Sequence, residues 1–209
     1  MYDIFEEMFY DLGTEGGTFL IVWLLLMLSM VMILLAWLVV AYILQSKAMY
    51  AIAQRRRIPN PWMAWVPFCN SWMLGAISDD YQLKVWGTVN NRRRNLLIWH
   101  ICYTVALNLY MSSYFTYMFS MESGDPEAII GFLGLFLLVC LAMIAVSVIY
   151  MVIYYKALFD LFRSSNPNRS MMYLLLSIFT QYPTPFFIYG CRNKDDGMPI
   201  PPERLPENT

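Results

Sequence analysis

Few residues in this chain could do chemistry. The adjacent acids Asp79 and Asp80 could hold a cation together with a phosphate. A metal site needs convergent ligands, however, and an acid pair alone is expected to be two solvated loop residues. His100 is the only histidine, so it cannot build a metal cluster, and a hydrogen-bonded structural role is expected for it. The cysteines at 69, 102, 140 and 191 are scattered, with no C-x-x-C pair. They are expected to be reduced packing residues rather than a disulfide framework or a zinc site. No G-x-S-x-G, H-E-x-x-H or phosphate-loop pattern occurs. No catalytic, cofactor-binding or metal residue is assigned, and no cofactor is expected.

The elements around these residues belong in a bilayer. Of 209 residues, 59% are apolar and 14% charged, against about 45–50% and about 25% in soluble domains. Three charge-free runs cover 18–44, 96–119 and 129–155. Each exceeds the roughly 20 residues that cross a hydrocarbon core as a helix. The first is too long for a signal peptide, and acids rather than bases precede it. The expected fold is all-α and integral to the membrane. It has three transmembrane helices, or four if the proline-interrupted stretch 171–190 also crosses. A re-entrant or interfacial path is preferred for that stretch, because a full crossing would place Arg192 and Lys194 outside.

Charge sets the expected orientation. The tail before the first span carries Asp3, Glu6, Glu7, Asp11 and Glu15 and no base. Loop 120–128 carries Glu122, Asp125 and Glu127 and no base. All 14 lysines and arginines fall in 46–95 or from 156 onward. Basic residues near span ends stay in the cytoplasm, so the N-terminus is expected outside and the C-terminus inside. The organisation is then an acidic extracytoplasmic tail (1–17), a first membrane unit (18–119), an outer loop (120–128), a second membrane unit (129–190) and a cytosolic tail (191–209). The cytosolic loop 46–95 holds an interfacial segment at 58–77.

That segment begins IPNPWMAWVPFCNSW, with three prolines and three tryptophans in fifteen residues. The first helix is expected to run to about Arg57 and the prolines to turn the chain. Trp62, Trp65 and Trp72 then sit at headgroup depth, and Pro67 breaks the segment in the middle. Asn60, Pro61, Trp62, Trp65, Pro67, Asn70 and Trp72 are the candidate membrane-interface or partner contacts. Residues 81–91 suggest a short hairpin. A weak internal repeat relates KAMYAIAQRRRIPNP (47–61) to KALFDLFRSSNPN (156–168). After each come an apolar segment, a glycine (Gly75, Gly190) and a double aspartate. Repeats of this kind are a common build of polytopic proteins.

Two arginine clusters, Arg55–Arg57 and Arg92–Arg94, could hold anionic lipid headgroups, although enforcing topology is the favoured explanation because the positive-inside rule alone accounts for them. Gly131, Gly134, Ala142 and Ala145 form a small-residue stripe on the third span, suited to close packing within the chain or between copies. Asn108, in the middle of the second span, is expected to hydrogen-bond to another helix.

The string IAQRRRIPNPWMAWVPFCNSWMLGAISDDY (52–81) resembles a group of small polytopic bacterial membrane proteins. Their shared pattern is similar to R-R-x-I-x-N-P-W-x-A-W-[IV]-P-x-x-N-x-W-x-L-G-x-I-S-D-x-Y. Here Arg56, Arg57, Asn60, Pro61, Trp62, Ala64, Trp65, Pro67, Asn70, Trp72, Gly75, Ser78, Asp79 and Tyr81 carry it. The position after Arg57 is Ile58, and Pro59 precedes Asn60. TPFFIYGCRNKDDGMP (184–199) is similar to the end of the same group. The resemblance covers about half the chain and implies a bacterial inner membrane, but no activity.

Three function classes follow. The leading expectation is a non-enzymatic accessory or scaffold subunit of a membrane complex. Its partners would be the bilayer, another membrane protein or a second copy, and no nucleic acid. A small transporter or channel component is the alternative, but the spans offer only His100, Asn108 and scattered hydroxyls for a polar path. A lipid-active enzyme using Asp79 and Asp80 is weaker, because neither a triad nor a metal motif accompanies them.

Overall fold

The computed structural model describes residues 15–88, 91–123, 126–180 and 182–199. The acidic tail up to residue 14, positions 124 and 125 of the loop after the second span, and the chain end from residue 200 lie outside them. In chain order the helices are α1 (Glu15–Arg55), α2 (Pro67–Trp86), α3 (Arg92–Ser123), α4 (Pro126–Ser165), α5 (Ser170–Thr180) and α6 (Thr184–Cys191). Short 3-10 turns at Pro61–Trp65 and Pro167–Arg169 precede α2 and α5. No strand occurs among the described residues.

Three of these helices are long and apolar enough to cross a membrane: α1, α3 and α4. The stretch 171–190 is divided between α5 and α6, with Pro183 between them. The 11 residues of α5 reach only about 16 Å at 1.5 Å per residue, half a hydrocarbon core.

The chain forms two units, up to Ile43 and from Leu44. In the first, α1 exposes a nearly continuous apolar surface from Phe19 to Val40. In the second, α3 and α4 form an antiparallel pair with an aromatic seam. Tyr103 stacks on Tyr150 at 5.3 Å, and Tyr117 stacks on Phe136 at 5.7 Å. Tyr110 and Tyr114 also meet Phe136, so α3 presents one near-heptad stripe.

The buried core of the second unit lies at the basic ends of its helices. It gathers Ala48, Met49, Ile52 and Ala53 of α1, Met73, Leu74 and Ile77 of α2, and Ala157, Leu158, Leu161 and Phe162 of α4. Ile58, Ala64, Ala76, Leu96, Ile188 and Cys191 complete it. Each large side chain here contributes about 1.5–3 kcal/mol through burial. Helix α2 is nearly continuously buried from Asn70 to Ser78, as a helix enclosed by others must be. When Lys47 is set on Lys156, the four buried apolar positions of α1 align one for one with the four of α4.

Several expectations need correction. Residues 81–86 continue α2 rather than start a hairpin, and Gly87 closes the helix at φ 66°. Nothing favours a marginal two-stranded ribbon over added turns of a packed helix. By contrast, Pro67 does interrupt the segment, since extended Val66 separates the 3-10 turn from α2. Pro67 is the first residue of α2, where its missing N–H costs nothing. Gly75 is not an exit from the apolar segment but lies in the middle of α2. A Cβ there would sit 2.5 Å from Cα of Arg93, so glycine permits the close approach of α2 and α3. Asn108 bonds back to the carbonyl of Thr104 on its own helix at 2.8 Å, not to a neighbouring helix.

Candidate functional site

The first helix ends through its own backbone. Arg57 sits at φ 57°, its N–H donates to Gln54 O (3.2 Å), and the N–H of Ile58 donates to Ala53 O (2.9 Å). This is a Schellman closure with arginine in the usual glycine position, and buried Ile58 supplies its apolar contact. Asn60 also takes the left-handed conformation, and Pro61 then starts the 3-10 turn. Asn70, buried, donates to Ser46 Oγ and to Ala64 O (3.3 Å each) and accepts from Gln45 Nε2 (3.2 Å). It therefore ties the end of α1, the turn and α2 together.

The remaining residues of the tryptophan segment divide by exposure. Trp72 packs half-buried on the core. Trp62, Trp65 and Phe68 are exposed, at 57%, 43% and 48%. Pro67 is exposed and Pro61 half-buried. The segment thus offers an outward aromatic patch on a turn held firmly from behind.

Two sets of ionic contacts hold the basic end of the molecule. In the first, Arg55 and Arg56 both bind Asp195, Arg56 through Nε and Nη2 to Oδ1 at 3.0 and 2.8 Å. Arg56 also donates to Ser164 Oγ (2.9 Å), and Arg55 reaches the carbonyls of Arg192 and Lys194. The loop after α6 caps α4 in return. The N–H groups of Asp196 and Gly197 donate to the carbonyls of Ser165 (3.3 Å) and Ser164 (3.1 Å). Gly197 is required there, since a Cβ would lie 2.1 Å from Arg163 O.

In the second, Asp160 of α4 is buried and accepts from Ser78 Oγ (2.6 Å), Gln82 Nε2 (3.0 Å) and Arg92 Nη1. Arg92 Nη1 also donates to Ser78 Oγ (3.1 Å). The network joins α2, α3 and α4. Beside it, both oxygens of Asp79 accept backbone N–H groups at the start of α3, from Arg92 (2.9 Å) and Arg93 (3.1 Å). A carboxylate suits the unsatisfied donors and positive dipole end of a helix. Burial nonetheless pushes the Asp79 carboxyl above its ordinary value, against the lowering effect of those bonds and of the two arginines. Asp80 pairs with Lys84 one turn along (2.8 Å). The acid pair is therefore not two solvated loop residues. Both stand on α2, and Asp79 is half-buried as a cap.

His100 likewise joins helices. Its Nδ1 contacts Ser71 Oγ of α2 and lies 3.4 Å from the Tyr150 hydroxyl of α4. The rings of Phe68 and Tyr150 meet its edge at 5.7 and 5.5 Å. The four cysteines are free thiols. Cys191 is buried in the core, which pushes its thiol up to about 11 and makes it a poor nucleophile. No group of three or more potential metal ligands occurs among the described residues.

Of the six clustered arginines, Arg55, Arg56 and Arg92 are engaged by Asp195 or Asp160, while the side chains of Arg93 and Arg94 are exposed. Gly131, Gly134, Ala142 and Ala145 are exposed, and a Cβ added at Gly131 or Gly134 would meet nothing within 4 Å. Sequence inspection overlooked Asp160. Its signal was a lone acid on the basic side of the molecule, among Leu158, Phe159, Leu161 and Phe162. A carboxylate in such company needs a cationic partner.

Comparison with protein families, with curated proteins and with solved structures finds no match.

Proposed function

We propose that the chain is a non-enzymatic accessory or scaffold subunit of a membrane complex, docking through the aromatic face around Trp62 and Trp65. One observation carries this reading. Asp79, Asp160, Asp195 and His100 each hold helices together, and Trp62, Trp65 and Phe68 present exposed ring surface. Exposed tryptophans on a turn tied to the core are typical binding anchors. The small-residue face of α4, exposed along its length, offers a second surface for a helix of a partner or another copy.

The setting we infer is a bacterial inner membrane, with the N-terminus outside and the basic end in the cytosol. The 58–77 and 171–190 segments are read as interfacial or re-entrant, and the two halves as a weak repeat. The repeat is supported by the matched buried positions of α1 and α4 and by the 3-10 turn that begins at Asn-Pro in each half. It loses register afterwards, where α2 is continuous and α5–α6 is broken.

The test is crosslinking in native membranes followed by mass spectrometry. Trp62→Ala with Trp65→Ala is expected to reduce co-purification of a partner or second copy, while Asp80→Asn leaves it intact. A chain with no partner and no self-contact that passes a solute when reconstituted alone would replace this reading with a transporter. For orientation, Thr14→Cys and Asn90→Cys are labelled in a cysteine-free background with an impermeant maleimide in intact cells. Labelling at 90 but not at 14 would reverse the assignment.

A further inference from the structure

Between α2, α4 and α5 lies a cleft of about 490 Å³, lined by Gln82, Trp86, Arg92, Val152, Tyr155, Lys156, Phe159, Asp160, Arg163 and Leu174. Its charges do not balance. Asp160 is already matched by Arg92. Lys156 has no hydrogen bond or ion pair among the described residues. Among the described residues the Arg163 guanidinium meets only ring faces, Trp86 at 5.7 Å and Phe159 at 5.9 Å. Two exposed cations therefore share one cleft with a satisfied carboxylate.

The position of the cleft matters as much as its charge. Val152 and Tyr155 end the charge-free run of α4, and Lys156 follows at once. Arg163 stands about 12 Å further along the helix, within the depth of a headgroup layer plus the reach of its side chain. The apolar wall continues along α4 through exposed Val148 and Val152 into the span. Trp86, 57% exposed at the rim, suits the layer where an apolar ring meets polar headgroups.

We propose that this cleft binds the phosphate headgroup of an anionic phospholipid, with Lys156 and Arg163 as its charge partners and an acyl chain lying along Val152 and Val148. The inference rests on the membrane setting above but not on the accessory role. An anion here gains two cations without displacing an existing ion pair. A zwitterionic headgroup would bring its own ammonium against them. The arginines first suspected of this role are less suited, since Arg55, Arg56 and Arg92 already have carboxylate partners.

The full chain is purified, placed in nanodiscs of mixed phosphatidylglycerol and phosphatidylcholine, and released for native mass spectrometry to count retained lipid. Retained phosphatidylglycerol is expected to fall about thirtyfold in Lys156→Gln with Arg163→Gln, about fivefold per lost charge. Arg93→Gln with Arg94→Gln should keep most of it, and Lys156→Arg with Arg163→Lys should keep it too. Equal loss from the two glutamine pairs, or loss from neither, overturns the site. Loss in the charge-preserving pair would also overturn it, as it would report packing rather than charge. In a second arm, inorganic phosphate is added at millimolar excess. Failure to displace the lipid supports a membrane-held ligand. Full displacement overturns the lipid assignment in favour of a soluble phosphate. Because lipid retention is read without any partner protein, failure here leaves the accessory reading standing.

Discussion

Arg92, the first residue of α3, donates to Asp160 near the end of α4, 68 positions later in the chain. The two sides differ in access to water. The Asp160 side chain is 7% exposed and that of Arg92 23%. Ser78 and Gln82 complete the carboxylate's shell from α2. One ion pair thus fastens the α3–α4 pair to the helix enclosed between them.

That asymmetry gives the first prediction. Arg92→Ala strands a buried carboxylate with only neutral donors and should cost about 3–5 kcal/mol. Asp160→Ala leaves an arginine that can still turn towards water, and about 1–3 kcal/mol is expected. The apolar double variant Arg92→Met with Asp160→Leu should recover part of the loss, because neither charge then remains to be desolvated. Unfolding in mixed detergent micelles checks the order. Equal costs for the two single variants would contradict the burial argument.

Asp79 predicts a pH dependence with a definite sign. Its folded-state carboxyl is raised above 3.8 by burial, so the folded chain holds the proton more tightly than the unfolded one. Its contribution is therefore complete below the unfolded value and is lost as pH rises through the folded one. In Asp79→Asn this slope should vanish. The variant should also weaken the start of α3, because an amide oxygen replaces two carboxylate acceptors. The measurement is stability across the acid range in wild type and variant, and identical slopes would remove Asp79 as the source.

Glycines in this chain should respond to alanine in opposite ways. Gly75→Ala forces a Cβ against the Arg93 backbone at 2.5 Å, and about 1–3 kcal/mol of destabilisation is expected as α2 and α3 part. Gly131→Ala and Gly134→Ala meet open space and remove helix-interior glycines, so each should stabilise the isolated chain by up to about 1 kcal/mol. If copies or partners pack on that face, the same two variants should reduce crosslinked product while the monomer gains stability. Thermal melts beside crosslinking yields separate the two effects.

The amino-acid sequence by itself determined the membrane class, the three spans and the segregation of charge. These follow from run length, hydropathy and position along the chain, which need no partner to be visible. It also marked the Asn60-Pro61 turn, because proline and a left-handed asparagine act locally. Only the tertiary structure decided what the acids do. Asp160 meets Arg92, and Asp195 meets Arg55 and Arg56, across separations of 68, 140 and 139 residues. Residues 81–86 read as strand from their β-branched and aromatic types, yet they extend α2 because turns of a helix already buried from Asn70 to Ser78 continue at little cost. Lys156 and Arg163 likewise looked like topology signals. Their shared cleft exists only because α2 and α5 bring Trp86 and Leu174 to the same side of α4.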